Sequence, residues 1–248
     1  MKPTLLITGG SRGIGAATAL LAAQRGYAVA VNYNANSLAA DEVVRQIRAS
    51  GANAIAVQAN VADEAQVLAM FHTIDAKLGR LSALVNNAGI VDVAARVDEM
   101  SVGRLKRMFD INVLGSFLCA REAILRMSTR HGGTGGSIVN VSSIASRLGG
   151  SGQYVDYAAS KGAIDTFTVG LAKEVALEGI RVNAVRPGII ETEIHASGGQ
   201  PDRARQMAPL VPMQRAGTAL EVAQAIVWLL SRESGYSTGA LLDVTGGR

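Results

Sequence analysis

Short apolar runs alternate with longer amphipathic stretches from one end of the chain to the other. Seven runs have the length and composition of buried strands, at residues 4–8, 28–32, 54–58, 83–86, 137–141, 181–185 and 240–244. The stretches between them are typical of helices, at residues 13–25, 38–50, 64–78, 105–127, 157–178 and 220–230. Strands joined by helical crossovers run parallel, and strands that are apolar throughout are covered on both faces. The pattern therefore predicts an α/β fold with a doubly wound, seven-stranded parallel sheet and helices on both faces.

One stretch interrupts this alternation. Residues 189–215 are polar and contain Pro201, Pro209 and Pro212. The segment is longer than an ordinary connection and follows a strand end, which is where ligands bind in this kind of sheet. We predict that it is a substrate lid, with a plain surface insertion as the alternative. With 248 residues and no visible linker or repeat, the chain is expected to form one domain over residues 1–248.

Composition narrows the class of protein. Hydrophobic residues make up 48% of the chain and charged residues 18%, which indicates a globular core and excludes a mostly disordered protein. The net charge is +4, but the basic residues are scattered without aromatic clustering, so we predict no nucleic-acid partner. No apolar run approaches ~18 residues and the N-terminus does not resemble a signal peptide. We therefore expect no membrane association and a cytoplasmic location.

Cysteine and histidine usage gives no sign of a disulfide or a metal site. Cys119 is the single cysteine and lies in an apolar helical stretch, so we interpret it as a core residue in a reducing compartment. His72, His131 and His195 are far apart and lack metal-ligand spacing, so no metal is predicted.

A glycine-rich turn follows the first predicted strand and leads into a helix. It reads Thr8-Gly-Gly-Ser-Arg-Gly-Ile-Gly15. Glycines let the backbone turn tightly, and the free N–H groups at the helix N-terminus attract a pyrophosphate. A strand before the turn, a helix after it and a second strand at the right distance indicate a dinucleotide site.

A second set of residues points to proton chemistry. Tyr157 and Lys161 are four residues apart, so they share one helix face, and Ser143 ends an apolar strand fourteen residues before Tyr157. A serine, a phenol and an ammonium around one small volume polarise a carbonyl oxygen and deliver a proton to it. Taken alone, a Tyr/Lys pair at this spacing is more typical of an amphipathic helix surface than of an active site.

Several motifs in order and spacing resemble the short-chain dehydrogenase/reductase family. They are the glycine-rich turn, Asn86-Asn-Ala-Gly89, Asn112, Ser143, Tyr157-x-x-x-Lys161 and Pro187-Gly188. The resemblance covers essentially the whole chain. Within the family, the chain resembles 3-oxoacyl carrier-protein reductases and glucose 1-dehydrogenases. It implies a Rossmann fold and an enzyme that interconverts a carbonyl and a secondary alcohol by hydride transfer.

The resemblance also implies roles for four residues. Tyr157 would be the general acid for reduction and the base for oxidation, with Lys161 stabilising its phenolate. Ser143 would hold the substrate oxygen, although the neighbouring Ser142 is a rival for that role. Asn112 would anchor a water that relays protons to Lys161.

The cofactor contacts implied by the resemblance follow the carboxyl ends of the strands. The pyrophosphate site comprises Gly9, Ser11, Arg12, Gly13, Ile14 and Gly15, and the ribose region comprises Asn87, Ala88 and Gly89 together with Tyr157 and Lys161. The nicotinamide contacts are Pro187, Gly188, Ile189 and Thr192, and the adenosine contacts are Asn32, Tyr33, Asn34, Asn60 and Val61.

The second strand ends without an acidic residue. An acid there would accept both ribose hydroxyls of NAD and repel the 2′-phosphate of NADP, and Arg12 is placed to meet that phosphate. We therefore predict NADP in preference to NAD. NADP-preferring relatives often have a basic residue at the position of Asn34 and usually an Asp at the position of Asn60. We therefore expect the cofactor to bind more weakly here.

The substrate is predicted only as a small carbonyl or alcohol. Arg147, Gln153, His195 and Arg203 are candidates for contact with it. The resemblance implies a homotetramer built through the helices at 105–127 and 157–178. The alternative function is a catalytically silent NADPH sensor.

Overall fold

Seven strands of this computed structural model form one parallel sheet, as predicted, and two short strands form a separate pair. The structure describes the backbone of residues 2–248, and the side chains of that range apart from His195. The strands are β1 Thr4–Ile7, β2 Ala28–Tyr33, β3 Ala54–Gln58, β4 Leu81–Asn86, β5 Gly136–Val141, β6 Ile180–Pro187, β7 Ile190–Glu191, β8 Gly217–Thr218 and β9 Leu241–Val244. The helices are α1 Gly13–Gln24, α2 Ser37–Ala49, α3 Glu64–Leu78, α4 Val102–Phe109, α5 Gly115–Met127, α6 Ala145–Leu148, α7 Val155–Val175, α8 Ile194–Ser197, α9 Arg203–Met207 and α10 Ala219–Leu230.

The strand order explains where a ligand site can form. The seven-stranded sheet has the order β3-β2-β1-β4-β5-β6-β9, and all of its pairings are parallel. The chain builds outwards from β1 through β2 to β3 and then returns to place β4 on the other side of β1. The loops after β1 and β4 therefore diverge to opposite faces and leave a crevice at the carboxyl ends of the strands.

The core lies on both faces of the sheet. Leu5 packs into one apolar cluster with α1, α2 and α10, whereas the adjacent Leu6 packs into a second cluster with α3, α5 and α7. Neither side chain is accessible to solvent. Since successive side chains of a strand point to opposite faces, this double burial is the reason for the continuous apolar runs in the sequence.

The prediction of a single helix over 105–127 is wrong in one respect. A π-helical turn, Asp110–Leu114, divides this stretch into α4 and α5. Gly115 follows this turn, and its backbone lies close to Val61, since a Cβ on Gly115 would be 2.6 Å from Cγ2 of Val61. π-Turns within helices are frequent at functional sites, and this one contains Asn112. Helical periodicity alone contains no signal for such a turn.

The segment predicted as a lid is packed rather than irregular. Its β7 pairs with β8 to form a separate two-stranded ladder, and α8 and α9 lie between them in the chain. Ile189, Ala204, Val211 and Ala216 form a small apolar cluster of their own, against which Met207 packs. Within residues 2–248, no helix has the length and apolarity needed to cross a membrane.

Candidate active site

The structure brings Ser143, Tyr157 and Lys161 together at the carboxyl edge of the sheet. Ser143 follows β5, and Tyr157 and Lys161 lie in the first two turns of α7. The phenol of Tyr157 is hydrogen-bonded to Ser143, and Nζ of Lys161 lies 5.6 Å from the centre of the Tyr157 ring. All three line the same cavity. The arrangement has a hydrogen-bonding hydroxyl, a proton donor and a positive charge around one space.

The two adjacent serines have different surroundings. The Ser142 hydroxyl is buried and donates to the backbone carbonyl of Lys161 at 3.1 Å. The Ser143 Oγ accepts from the Ala145 N–H at 3.1 Å and faces Tyr157. Ser142 thus ties β5 to α7, whereas the Ser143 hydroxyl is directed at the phenol.

Burial sets the protonation of the phenol and the ammonium. It raises the pKa of Tyr157, and the hydrogen bond with Ser143 acts in the opposite direction. It lowers the pKa of Lys161 to about 8, against which the negative charge of Asp165 acts. Nζ of Lys161 also donates to the carbonyl of Val141 at 2.8 Å. The phenol is therefore held protonated, the state needed to protonate a carbonyl oxygen, beside an ammonium that loses its proton near pH 8.

A chain of ion pairs, which sequence reasoning missed, extends from Asp165 to the surface. Arg186 donates to Asp165 at 3.0 Å and to Asp243 at 3.3 Å, and Asp243 also accepts from Arg147 at 2.9 Å. Oδ1 of Asp165 is buried with no hydrogen-bond partner among the described residues. The pairs connect α7, β6, β9 and α6, which follows Ser143. Arg147, a predicted substrate contact, is therefore held by Asp243 instead.

Asn112 is fixed by backbone and side-chain hydrogen bonds. Its Oδ1 accepts from the Ile90 N–H at 2.8 Å, and its Nδ2 donates to the Ile90 carbonyl at 3.0 Å and to the Ser160 hydroxyl at 3.1 Å. Gly89 lies between Asn112 and Lys161, since a Cβ built there would be 3.4 Å from Asn112 Oδ1 and 3.5 Å from Lys161 Nζ. The two polar atoms face a shared space beside this glycine.

A second cavity, of about 460 Å³, contains most of the predicted dinucleotide contacts. Gly9, Ser11, Arg12, Gly13, Ile14, Asn32, Asn34, Asn60, Val61, Asn87, Ala88, Gly89 and Thr192 line it. Gly9 and Gly13 have φ values of +60° and +53°, which favour glycine. The open backbone at the start of α1 suits the pyrophosphate of a dinucleotide. The carboxylate of Glu193, which sequence reasoning missed, also faces this turn, 3.6 Å from the position of a Cβ on Gly13.

Two of the predicted contacts lie away from the cavity, and a third has a structural role as well. Tyr33 does not line the cavity, because its ring packs against the apolar cluster that contains Leu5. Gly15 is buried behind the turn, where a Cβ would lie 2.4 Å from the Gly9 carbonyl oxygen. Asn32 reaches the cavity but also braces the turn, since it accepts from the Gly9 N–H at 3.1 Å and donates to the Ala59 carbonyl at 3.0 Å.

The cavity beside Tyr157 has a volume of about 420 Å³ and is continuous with the dinucleotide cavity. Ile14, Asn87, Gly89, Thr192 and Ile194 line both. Pro187, Gly188 and Ile189 lie along the wall of the first cavity, and so do Gln153 and Arg203 from the predicted substrate set. Arg248 lines it too, a position for which the sequence had no signal. The side chain of His195, another predicted contact, lies outside the described residues.

The continuity of a dinucleotide cavity with a Ser/Tyr/Lys cavity agrees with the comparisons to known proteins. A family model described as enoyl-(acyl carrier protein) reductase matches residues 9–248. A solved variant of a short-chain dehydrogenase/reductase from Serratia marcescens has a TM-score of 0.90 at 33% identity, with 99% of this chain and 97% of that chain covered. The chain belongs to the short-chain dehydrogenase/reductase family.

Curated relatives of this short-chain dehydrogenase/reductase show the breadth of the family. An uncharacterized oxidoreductase of Escherichia coli is 58% identical over 243 residues, which is 98% of both chains. Glucose 1-dehydrogenase 2 of Bacillus subtilis is 37% identical, over 98% of this chain and 93% of the relative. A 3-oxoacyl-acyl-carrier-protein reductase of Staphylococcus aureus is 36% identical, over 100% and 98%. This short-chain dehydrogenase/reductase is therefore an oxidoreductase, and members of the family use NAD or NADP.

Proposed function

We propose that the protein is an NADP-dependent enzyme that interconverts a small carbonyl compound and its secondary alcohol. The observation that carries this proposal is the position of Tyr157 in a cavity that opens into the dinucleotide cleft. Its phenol is hydrogen-bonded to Ser143, and Nζ of Lys161 lies 5.6 Å from the centre of its ring. No metal is needed, because these side chains supply both the polarisation and the proton.

Reduction requires one proton at the carbonyl oxygen. Bound NADPH supplies the hydride that adds to the carbonyl carbon. Ser143 holds the carbonyl oxygen, and Tyr157 Oη transfers its proton to that oxygen as the negative charge develops there. Lys161 stabilises the remaining phenolate. In oxidation the phenolate takes the proton of the alcohol instead.

The phenolate must regain a proton before the next reduction. Lys161 Nζ and Asn112 Oδ1 face the same space beside Gly89. We assign this space to a solvent path, in which Asn112 orients a water that passes a proton towards Lys161 and then Tyr157. The hydrogen bonds from Ile90 and to Ser160 support this assignment, since they leave the Asn112 side chain little freedom to rotate.

Arg12 supports NADP as the preferred cofactor. It lines the dinucleotide cavity with Asn34, and β2 ends without an acid that would repel a 2′-phosphate. Arg12, Asn34 and Asn60 would surround the adenosine end, and Ile189 and Thr192 would contact the nicotinamide end.

A homotetramer is part of the proposal. Phe117 of α5 and Phe167 of α7 stack with ring centres 3.9 Å apart, yet Phe117 remains 45% exposed. A Cβ at Gly162 or Gly170 of α7 would meet no atom within 4 Å, so another helix could approach there closely. Light scattering coupled to size exclusion tests the state, and a monomer at micromolar concentration contradicts it.

The decisive test measures absorbance of NADPH and NADH with ketones, aldoses, diketones and 3-oxoacyl thioesters, beside Tyr157→Phe. We expect turnover with NADPH and a loss of at least about 100-fold in kcat for the variant, given the usual contribution of a positioned acid. Tyr236→Phe is the matched control, because Tyr236 is fully exposed. NADPH binding without turnover of any substrate would favour the sensor instead.

A further inference from the structure

The charged side chains that line the cavity beside Tyr157 are all basic. They are Lys161, Arg203 and Arg248, and no Asp or Glu occurs among the described residues of this lining. The rest of the wall is mainly apolar, including Leu148, Ile189 and Met207. Because walls of low polarity screen charge poorly, the cavity favours a ligand with a negative group.

Arg203 differs from the other partly buried arginines in its partners. Its guanidinium lies 5.2 Å over the Tyr154 ring, and Nη1 donates to the Gln200 side chain at 2.7 Å. No carboxylate among the described residues is within ion-pair distance of it. Arg104 and Arg186, by contrast, are each paired with a buried aspartate.

The neighbour of Arg203 on the same helix has no such role. Arg205 is 81% exposed and pairs with Asp202. Arg203 is therefore the arginine of α9 that faces the cavity, and its hydrogen-bonding capacity is only partly used.

The element that presents Arg203 is firmly packed. Ala204 is buried in the small cluster with Ile189, Val211 and Ala216, and Met207 packs against it from the next turn of α9. Tyr154, on which the guanidinium stacks, is buried immediately before α7. The cation is thus positioned before any substrate binds, which reduces the ordering cost of binding.

We propose that the substrate is an oxo acid or the corresponding hydroxy acid, with its carboxylate bound by Arg203 while its carbonyl oxygen lies between Ser143 and Tyr157. This inference rests on the proposed function and adds the substrate class. The planar guanidinium binds a carboxylate through two parallel hydrogen bonds, and the apolar wall accommodates the carbon chain between the two polar ends.

The test compares a series of oxo acids, in which the number of carbons between the carboxylate and the ketone increases step by step, against their methyl esters. We expect the best acid to exceed its ester by about 10- to 100-fold in kcat/KM, as for a hydrogen bond to a charged group. Arg203→Gln should reduce this acid-to-ester ratio by at least about 10-fold, and Arg203→Lys should restore part of it. Arg205→Gln, the matched control on α9, should leave the ratio as it is.

A binding measurement separates this inference from the proposed function. Calorimetric titration of the protein–NADP⁺ complex, which cannot reduce a ketone, with the same oxo acids should give a Kd that rises at least about 10-fold in Arg203→Gln but not in Arg205→Gln. If ketones or neutral thioesters are reduced and acids have no advantage in rate or binding, the carboxylate inference is overturned and the enzyme stands. If acids bind through Arg203 but nothing is reduced, the inference about the ligand stands and the enzymatic proposal fails.

Discussion

Arg104 and Asp156 form a two-point ion pair directly beside the tyrosine of the site. Arg104 Nε lies 2.8 Å from one carboxylate oxygen of Asp156 and Nη2 lies 3.2 Å from the other, and the Asp156 side chain is completely buried. Arg104 also donates to the Val93 carbonyl at 2.6 Å. The pair thus joins α4, the loop after β4 and the first turn of α7. Asp156 and Tyr157 are adjacent residues of that turn.

Removing one member of this pair should destabilise the protein strongly. We expect Arg104→Met to lower the free energy of unfolding by about 3–5 kcal/mol, because it leaves a buried carboxylate without its partner. The double variant with Asp156→Asn should recover much of that loss, which denaturant titration would measure.

The same variants test whether the pair positions Tyr157. Where the single variant still folds, we expect a lower kcat with little change in the Kd of NADPH, since Arg104 does not line the dinucleotide cavity. Arg45→Met is the control, because its ion pair with Glu42 is exposed on α2. Equal effects of Arg104→Met and Arg45→Met on kcat would show that the Arg104–Asp156 pair does not position Tyr157.

Asp165 should set the pH at which Lys161 loses its charge. The ammonium, whose pKa is about 8, is protonated below that pH and neutral above it, so kcat for reduction should fall as the pH rises through this value. Asp165 raises the pKa of Lys161, so Asp165→Asn should move the falling limb to lower pH. Asp75→Asn, at the ion pair with Arg126, is the control and should leave the pH profile of kcat unchanged. If the falling limb of the kcat profile stays at the same pH in Asp165→Asn, Asp165 does not set the pKa of Lys161.

Gly89→Ala probes the space between Asn112 and Lys161. The added Cβ would make ordinary contacts of 3.4 and 3.5 Å with their polar atoms, so the fold should tolerate it. We expect a lower kcat and a changed solvent isotope effect, because the methyl group occupies the proposed proton path. Gly103→Ala is the matched control, since Gly103 is exposed on α4 and its Cβ would meet only the Ser101 hydroxyl, at 4.0 Å. Full activity of Gly89→Ala would exclude a path through this space.

Arg12 should decide between the two cofactors. Arg12→Gln removes a cation that would bind the 2′-phosphate, so the Kd of NADPH should rise by about 10- to 100-fold while that of NADH changes little. Asn34→Asp should act in the same direction by repulsion. Fluorescence titration with each cofactor measures both, and Arg25→Gln, exposed at the far end of α1, is the control. A parallel rise for NADH would mean that Arg12 does not read the phosphate.

Glu193→Gln should act on both cofactors alike. The carboxylate faces the glycine-rich turn, where it would repel the pyrophosphate that NADPH and NADH share. Titration should therefore give a lower Kd for both, with an unchanged ratio between them. A change for NADPH alone would place Glu193 at the 2′-phosphate instead.

The sequence was sufficient for the architecture because its signals are local. Apolar runs such as residues 137–141 and helical stretches such as 64–78 alternate along the chain, and the parallel sheet with covered faces follows from that alternation. The glycine-rich turn and the Tyr157–Lys161 spacing were readable for the same reason, since each is a short motif at one strand end or on one helix face.

Only the tertiary structure decided which side chains meet. Arg104 and Asp156 are separated by 52 positions, and Asp165 and Arg186 by 21, so no periodicity relates them. The π-helical turn at Asn112 and the packing of Tyr33 away from the cleft also depend on neighbours from other elements. Periodic patterns report which face of an element is buried, whereas ion pairs and cavity walls depend on the distances between elements, which are set when the faces pack.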